Sequence, residues 1–127
     1  MRAVTRVEAC CSMIEGIGRT QVEPSFMPDL VDRVAVVPDA ESIAGARMLS
    51  AIIGRPCGGS TGTNICGVFA LIREMLDKGQ NGSIVTLLCD SGDRYKSTLY
   101  DDKWLAAQRL DVAPMMQRLE TVFGEAH

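Results

Sequence analysis

The sequence has a single histidine, the terminal His127, and no two cysteines in CxxC spacing. A structural zinc site takes about four nitrogen or sulfur ligands in short spacings, and that pattern is absent. The cysteines are Cys10, Cys11, Cys57, Cys66 and Cys89, an odd number. With no apolar signal-peptide core at the amino terminus, a disulfide framework is not expected, and these read as buried or free thiols. Cytoplasmic residence is the corresponding expectation. No apolar run approaches the roughly 20 residues of a membrane span. No basic cluster is present either, and the net charge is -3, so nucleic acid and membrane are both unexpected partners.

What is present is the composition of an ordinary folded domain. The chain has 127 residues, 46% hydrophobic and 23% charged, enough for one domain with a modest core. Residues 1–13 form a divergent amino-terminal stretch without clear period, and residues 14–127 read as one unit. Pro24 and Pro28 exclude a helix across their stretch. Residues 34–37 are a short β-branched run expected as a buried strand, closed by Pro38. Asp39 sits where an N-cap belongs. Ile43, Ala44, Ala46, Met48, Leu49, Ile52 and Ile53 then give the apolar side of a helix that Gly54 ends.

A glycine-rich loop over residues 58–63 leads into a second helix, whose apolar positions are Ile65, Val68, Phe69, Ile72, Met75 and Leu76. Residues 83–89 read as a fully buried strand, because apolar residues run together instead of alternating. Two short helices finish the chain, near Trp104 and from Pro114 onward. The rhythm predicts an α/β fold with a partial open parallel sheet and flanking helices.

Three polar loops are candidates for chemistry, since ligands of such sheets bind beyond the carboxyl ends of the strands. They are Ile14-Glu15-Gly16-Ile17-Gly18, then Gly58-Gly59-Ser60-Thr61-Gly62-Thr63, then Asp90-Ser91-Gly92-Asp93-Arg94-Tyr95 with Ser97-Thr98. The middle loop alone allows an anion site at a helix start, or a capping serine in a tight turn. It lacks the Walker lysine and the Rossmann glycine spacing.

In this order the three resemble the carboxy-terminal part of the cysteine synthase and cystathionine β-synthase family of fold-type II pyridoxal-phosphate (PLP) enzymes. That family has a QGIG-type loop, a G-[IL]-S-[ST]-G loop and a D-S-G-[ED]-R-Y-x-S-T segment. The likeness runs from about Ile14 to Trp104 and is nearest to actinobacterial members, some of them cysteine desulfhydrases. The resemblance implies PLP as cofactor, a small amino-acid substrate, β-replacement or α,β-elimination chemistry, and a possible homodimer. It assigns Ser60 to the pyridine nitrogen, and Gly16, Ile17 and Gly18 to the lining of the cleft. Gly59 and Thr61 flank Ser60, while Asp90, Ser91, Arg94 and Tyr95 match the segment behind the ring.

The family's catalytic lysine, phosphate loop and asparagine loop match nothing in this sequence. Lys78, Lys96 and Lys103 stand where the family does not place its lysine. No residue of this chain is therefore assigned to catalysis, and no family reaction is expected from the chain alone. The unlike start is expected of a truncated or frame-disrupted reading frame. Two other readings remain: a non-catalytic module that complements a separate amino-terminal subunit, and a small phosphate-binding domain.

Overall fold

The computed structural model describes residues 12–17 and 22–126. Among these, four α-helices form: α1 Asp39–Ile53, α2 Gly59–Asp77, α3 Asp102–Ala107 and α4 Ala113–Ala126. Single 3-10 turns lie at Pro28–Leu30 and Gly92–Tyr95.

The helix α1 starts one residue earlier than an Asp39 cap requires. Pro38, extended at φ -62° and ψ 153°, holds the cap position, and Asp39 and Glu41 lie in the first turn, where the helix dipole favours acids. The Asp39 carboxylate accepts instead from Ser12 Oγ at 2.7 Å and the Met13 amide at 2.6 Å, tying the first loop to α1. Gly54 ends the helix at φ 73°, a left-handed conformation that glycine adopts without steric cost.

The region expected as a glycine-rich loop is mostly helix. Gly58 is the extended cap of α2, and residues 59–63 are its first turns, with Ser60 as its second residue. Close approach of α1 explains the glycines. A Cβ on Gly62 would overlap the Ser42 carbonyl and stand 2.6 Å from the Ala46 amide, and one on Gly45 would stand 2.6 Å from the Gly62 carbonyl. Where two backbones meet this tightly, no side chain fits.

Two apolar clusters share α1. Ile43 packs with Ile14, Tyr95, Leu99 and Leu105. Ala44 and Met48 pack with Ile65 and Phe69 of α2 and Leu119 of α4. Each large side chain so buried contributes about 1.5–3 kcal/mol relative to exposure. The short α3 is capped by Asp101, whose carboxylate accepts from the Lys103 and Trp104 amides.

The expected strands do not form a sheet. Among the described residues the sole bridge is an isolated antiparallel pair, Cys57 with Ser91. Residues 34–37 and 83–89 run outside helices, and side chains read as buried stand in solvent: Val34 is 81% exposed, Val36 82%, Val85 92% and Leu87 73%. The physical reason is pairing. A strand needs neighbours for its amides and carbonyls, and no second strand lies beside either segment among the described residues. Side chains supply part of what a ladder would. Asn64 Nδ2 donates to the Leu87 carbonyl at 3.1 Å, and the Cys89 amide donates to Thr61 Oγ1 at 2.9 Å. The described chain is thus mostly helical, and the parallel sheet read from sequence is not seen in it.

Candidate functional site

The three motif loops meet at the start of α2. From the first loop, Ile14 is buried against Gly59: a Cβ there would stand 2.9 Å from two Ile14 side-chain carbons and 3.1 Å from Leu99 Cδ1. Gly16 turns the chain at φ 81°, which side-chain-bearing residues rarely adopt. Glu15 pairs with Arg94 of the third loop at 3.4 Å. Both side chains are largely exposed, so solvent screens the pair and it orients more than it stabilises. Ile17 is half-buried against the Ile14–Leu99 cluster. Gly18, the remaining member of that motif, lies outside the described residues.

The third loop is strapped to the residues before α2. The Gly58 amide donates to the Asp90 carbonyl at 3.1 Å, and the Gly92 amide to the Pro56 carbonyl at 2.9 Å. Space requires glycine at Gly92, where a side chain would meet backbone, whereas at Gly58 a side chain would displace the Asp90 carboxylate. A Cβ on Gly58 would overlap Asp90 Oδ1, and one on Gly92 would stand 2.5 Å from the Cys57 carbonyl oxygen.

Most polar side chains of the motifs already have partners. Asp90 Oδ2 accepts from the Tyr95 hydroxyl at 2.8 Å. That bond, then burial, pushes the Tyr95 phenol up to about 12. Ser91 Oγ accepts from the Asp93 amide and donates to Asp93 Oδ2 at 2.7 Å, capping the 3-10 turn. Hydrogen bonds from Lys96 and Ser91 hold the Asp93 carboxyl below its usual range. Thr61 is fully buried and occupied by the Cys89 amide. Ser60 differs: it is half-buried, sits in the first turn of α2, and its hydroxyl has no hydrogen-bond partner among the described residues. An unspent hydroxyl beside the positive end of a helix can donate to an acceptor atom of a ligand.

Among the described residues two hollows touch the motifs: a groove of about 450 Å³ reaches the middle motif at Thr63, between residues 32–37 and the α2 face at Asn64, Gly67 and Leu71. A recess of about 50 Å³ is lined by Arg55, Pro56, Cys57, Cys89, Asp90 and Ser91. A groove of about 590 Å³ lies elsewhere, against Val36, Val37, Cys66, Phe69, Leu119 and Val122, and none of the motif residues lines it. No group of three or more candidate metal ligands comes together among the described residues. No helix among them is long and apolar enough to cross a membrane.

Sequence reasoning missed a hydroxyl hub beside this wall. Tyr100 Oη lies 2.7 Å from the Cys57 carbonyl oxygen, 3.0 Å from the Cys57 amide and 2.7 Å from Ser50 Oγ. Ser50 Oγ in turn donates to the Ala46 carbonyl at 2.6 Å and accepts from the Cys57 amide at 2.9 Å. Nothing in the spacing of Ser50, Cys57 and Tyr100 signals that they meet.

Comparison with known proteins gives the class: over most of its length this chain is a sequence relative of cysteine desulfhydrase, which bears out the family resemblance of the three motifs. The particular relative is L-cysteine desulfhydrase Cds1 of Mycobacterium tuberculosis, 60% identical over 102 residues. The match takes in 80% of this chain and 28% of that protein. No family model matches the chain.

Proposed function

We propose that the chain contributes the pyridine-side wall of a PLP site in a cysteine desulfhydrase or cysteine synthase type of enzyme, acting in cytoplasmic sulfur amino-acid metabolism. The observation that carries this reading is the unspent Ser60 hydroxyl at the point where the three family motifs meet. The donor set fits the group. Ser60 Oγ would donate to the pyridine nitrogen, Gly59 lets Ile14 close behind it, and Gly16 and Ile17 would line the approach. Thr61, Asp90 and Ser91 would hold the wall rigid through the bonds they already make.

When bound, PLP would take up electron density from the substrate's α-carbon, which lets a β-substituent leave. The chain's own contribution is to tune that capacity. A serine hydroxyl keeps its proton on Oγ while sharing it, so the ring nitrogen is not forced into the protonated state as an aspartate would force it. Elimination and β-replacement suit such a ring better than transamination.

In this reading none of the chain's lysines does covalent work. Lys78 is bonded to Glu74 at the far end of α2, roughly 27 Å from Ser60 at 1.5 Å per helical residue. Lys96 pairs with Asp93 at 2.9 Å, and Lys103 is exposed on α3. The reaction therefore needs a lysine-bearing part, in the same polypeptide or a separate one. Pairing with that part also accounts for residues 34–37 and 83–89, which would enter the parallel sheet of the family as strands.

The test is complementation. The chain, combined with the residues of the relative that it does not match, should release sulfide from cysteine when PLP is present. Ser60→Ala should weaken cofactor binding about fivefold, the size of one hydrogen bond. Sulfide release unchanged by Ser60→Ala, with unchanged PLP affinity, would overturn the assignment.

A further inference from the structure

We propose that Tyr100 and Ser50 are positioning residues that fix the Ser60 hydroxyl by clamping the Cys57 peptide just ahead of α2. The inference rests on the cofactor reading of Ser60. Its ground is the geometry of the hub. Cys57 is 2% exposed and three residues before Ser60. Its amide donates to Ser50 Oγ and Tyr100 Oη, and its carbonyl accepts from Tyr100 Oη. The two hydroxyl protons are shared among the Ala46 carbonyl, the Cys57 carbonyl and the 2.7 Å Ser50–Tyr100 contact, and both polar groups of the Cys57 peptide have partners.

The clamp has a second jaw. On the other side the Pro56 carbonyl and the Gly58 amide bond the third motif, at Gly92 and Asp90, so the peptide cannot shift without moving that loop. Tyr100 itself is held from behind. Its ring packs on the Ile14–Leu99 cluster, and Arg47 Nε donates to the neighbouring Leu99 carbonyl at 2.8 Å. Among the described residues the Ser60 hydroxyl has no bond of its own to hold it, so its place is inherited from the peptide where α2 begins.

Tyr100→Phe keeps the packed ring and removes the hydroxyl; Ser50→Ala removes the other half of the hub and serves if the first variant does not fold. In the 127-residue chain, residue-resolved amide exchange should quicken about tenfold at Cys57 and Gly62, the scale of one lost hydrogen bond, while Phe69 and Leu119 stay within about twofold. Uniform quickening across all four, or none at Cys57, overturns the clamp and leaves only a general structural role.

The second readout is the nitrogen-15 shift of the PLP ring in the complemented protein. Ser60→Ala should move it, and Tyr100→Phe should move it part-way in the same direction. Movement with Ser60→Ala but not with Tyr100→Phe overturns this inference alone. No movement with Ser60→Ala overturns the cofactor reading, and this inference with it.

Discussion

Gly62 of α2 lies against the Ser42 carbonyl of α1 so closely that no Cβ atom fits between them. The contact sets how near α2 stands to α1, and Ser60 is two residues away. Gly62→Ala should destabilise the chain by roughly 1–3 kcal/mol, the usual cost of overpacking a tight contact. Gly67, in the same helix, has open space around it, and Gly67→Ala should stabilise by about 0.5–1 kcal/mol. Thermal unfolding of both variants by circular dichroism checks the contrast. Equal shifts of one sign would contradict it.

Tyr95 should titrate late. Its hydroxyl is held by Asp90 and buried, with the phenol at about 12 against an ordinary value of 10.0. The folded state therefore keeps a proton that the unfolded state has lost. The corresponding stability is complete below pH 10 and declines as pH rises from about 10 through about 12. Ultraviolet titration of the Tyr100→Phe variant isolates this phenol, and Asp90→Asn should lower its midpoint. A midpoint at the ordinary value with Asp90 intact would refute the bond.

The cysteines should separate by burial. Cys66 is buried, with its Sγ on the Glu41 carbonyl at 3.1 Å, and burial first, then the Glu41 charge, push the thiol up to about 11. Cys89 is exposed. With iodoacetamide at pH 8 and mapping by mass, Cys89 should be labelled at least about tenfold faster than Cys66, since the thiolate and its access control the rate. Comparable rates would mean that α1 and α2 do not hold together as described.

Residues 34–37 and 83–89 present exposed apolar side chains and, among the described residues, no strand ladder, a template for association. The chain alone should self-associate with rising concentration, and Val34→Lys with Val85→Lys should reduce this by placing charge on both segments. Sedimentation velocity reads the outcome. A monomer at all concentrations, unaffected by the lysines, would show that these segments are not sticky edges.

The helices were legible because their signals are local. The apolar spacing from Ile43 to Met48 and the stop at Gly54 depend on no distant residue, and both stand, while Ile52 and Ile53, expected on the same apolar side, are exposed. Asp39 is not a cap, because its partners, Ser12 and Met13, are 27 and 26 residues away and leave no local signal. Residues 83–89 show the limit of composition. An apolar run states what a segment needs to bury, while burial itself depends on neighbours elsewhere. At the site, the order of motifs foretold that the loops belong together. It could not tell which hydroxyls are already occupied: Thr61 and Ser91 are, and Ser60 is not. The Tyr100 hub was invisible because it joins residues 43 apart through one oxygen atom.

The most direct test is the attachment of PLP to lysine, read by mass after borohydride reduction. The 127-residue chain incubated with PLP should yield no defined lysine adduct at stoichiometric cofactor. After addition of the part of the relative that the chain does not match, one adduct should appear, on a lysine of the added part. A single stoichiometric adduct on Lys78, Lys96 or Lys103 of the chain alone would contradict the proposal that this chain holds the pyridine side of the site and not the reacting side.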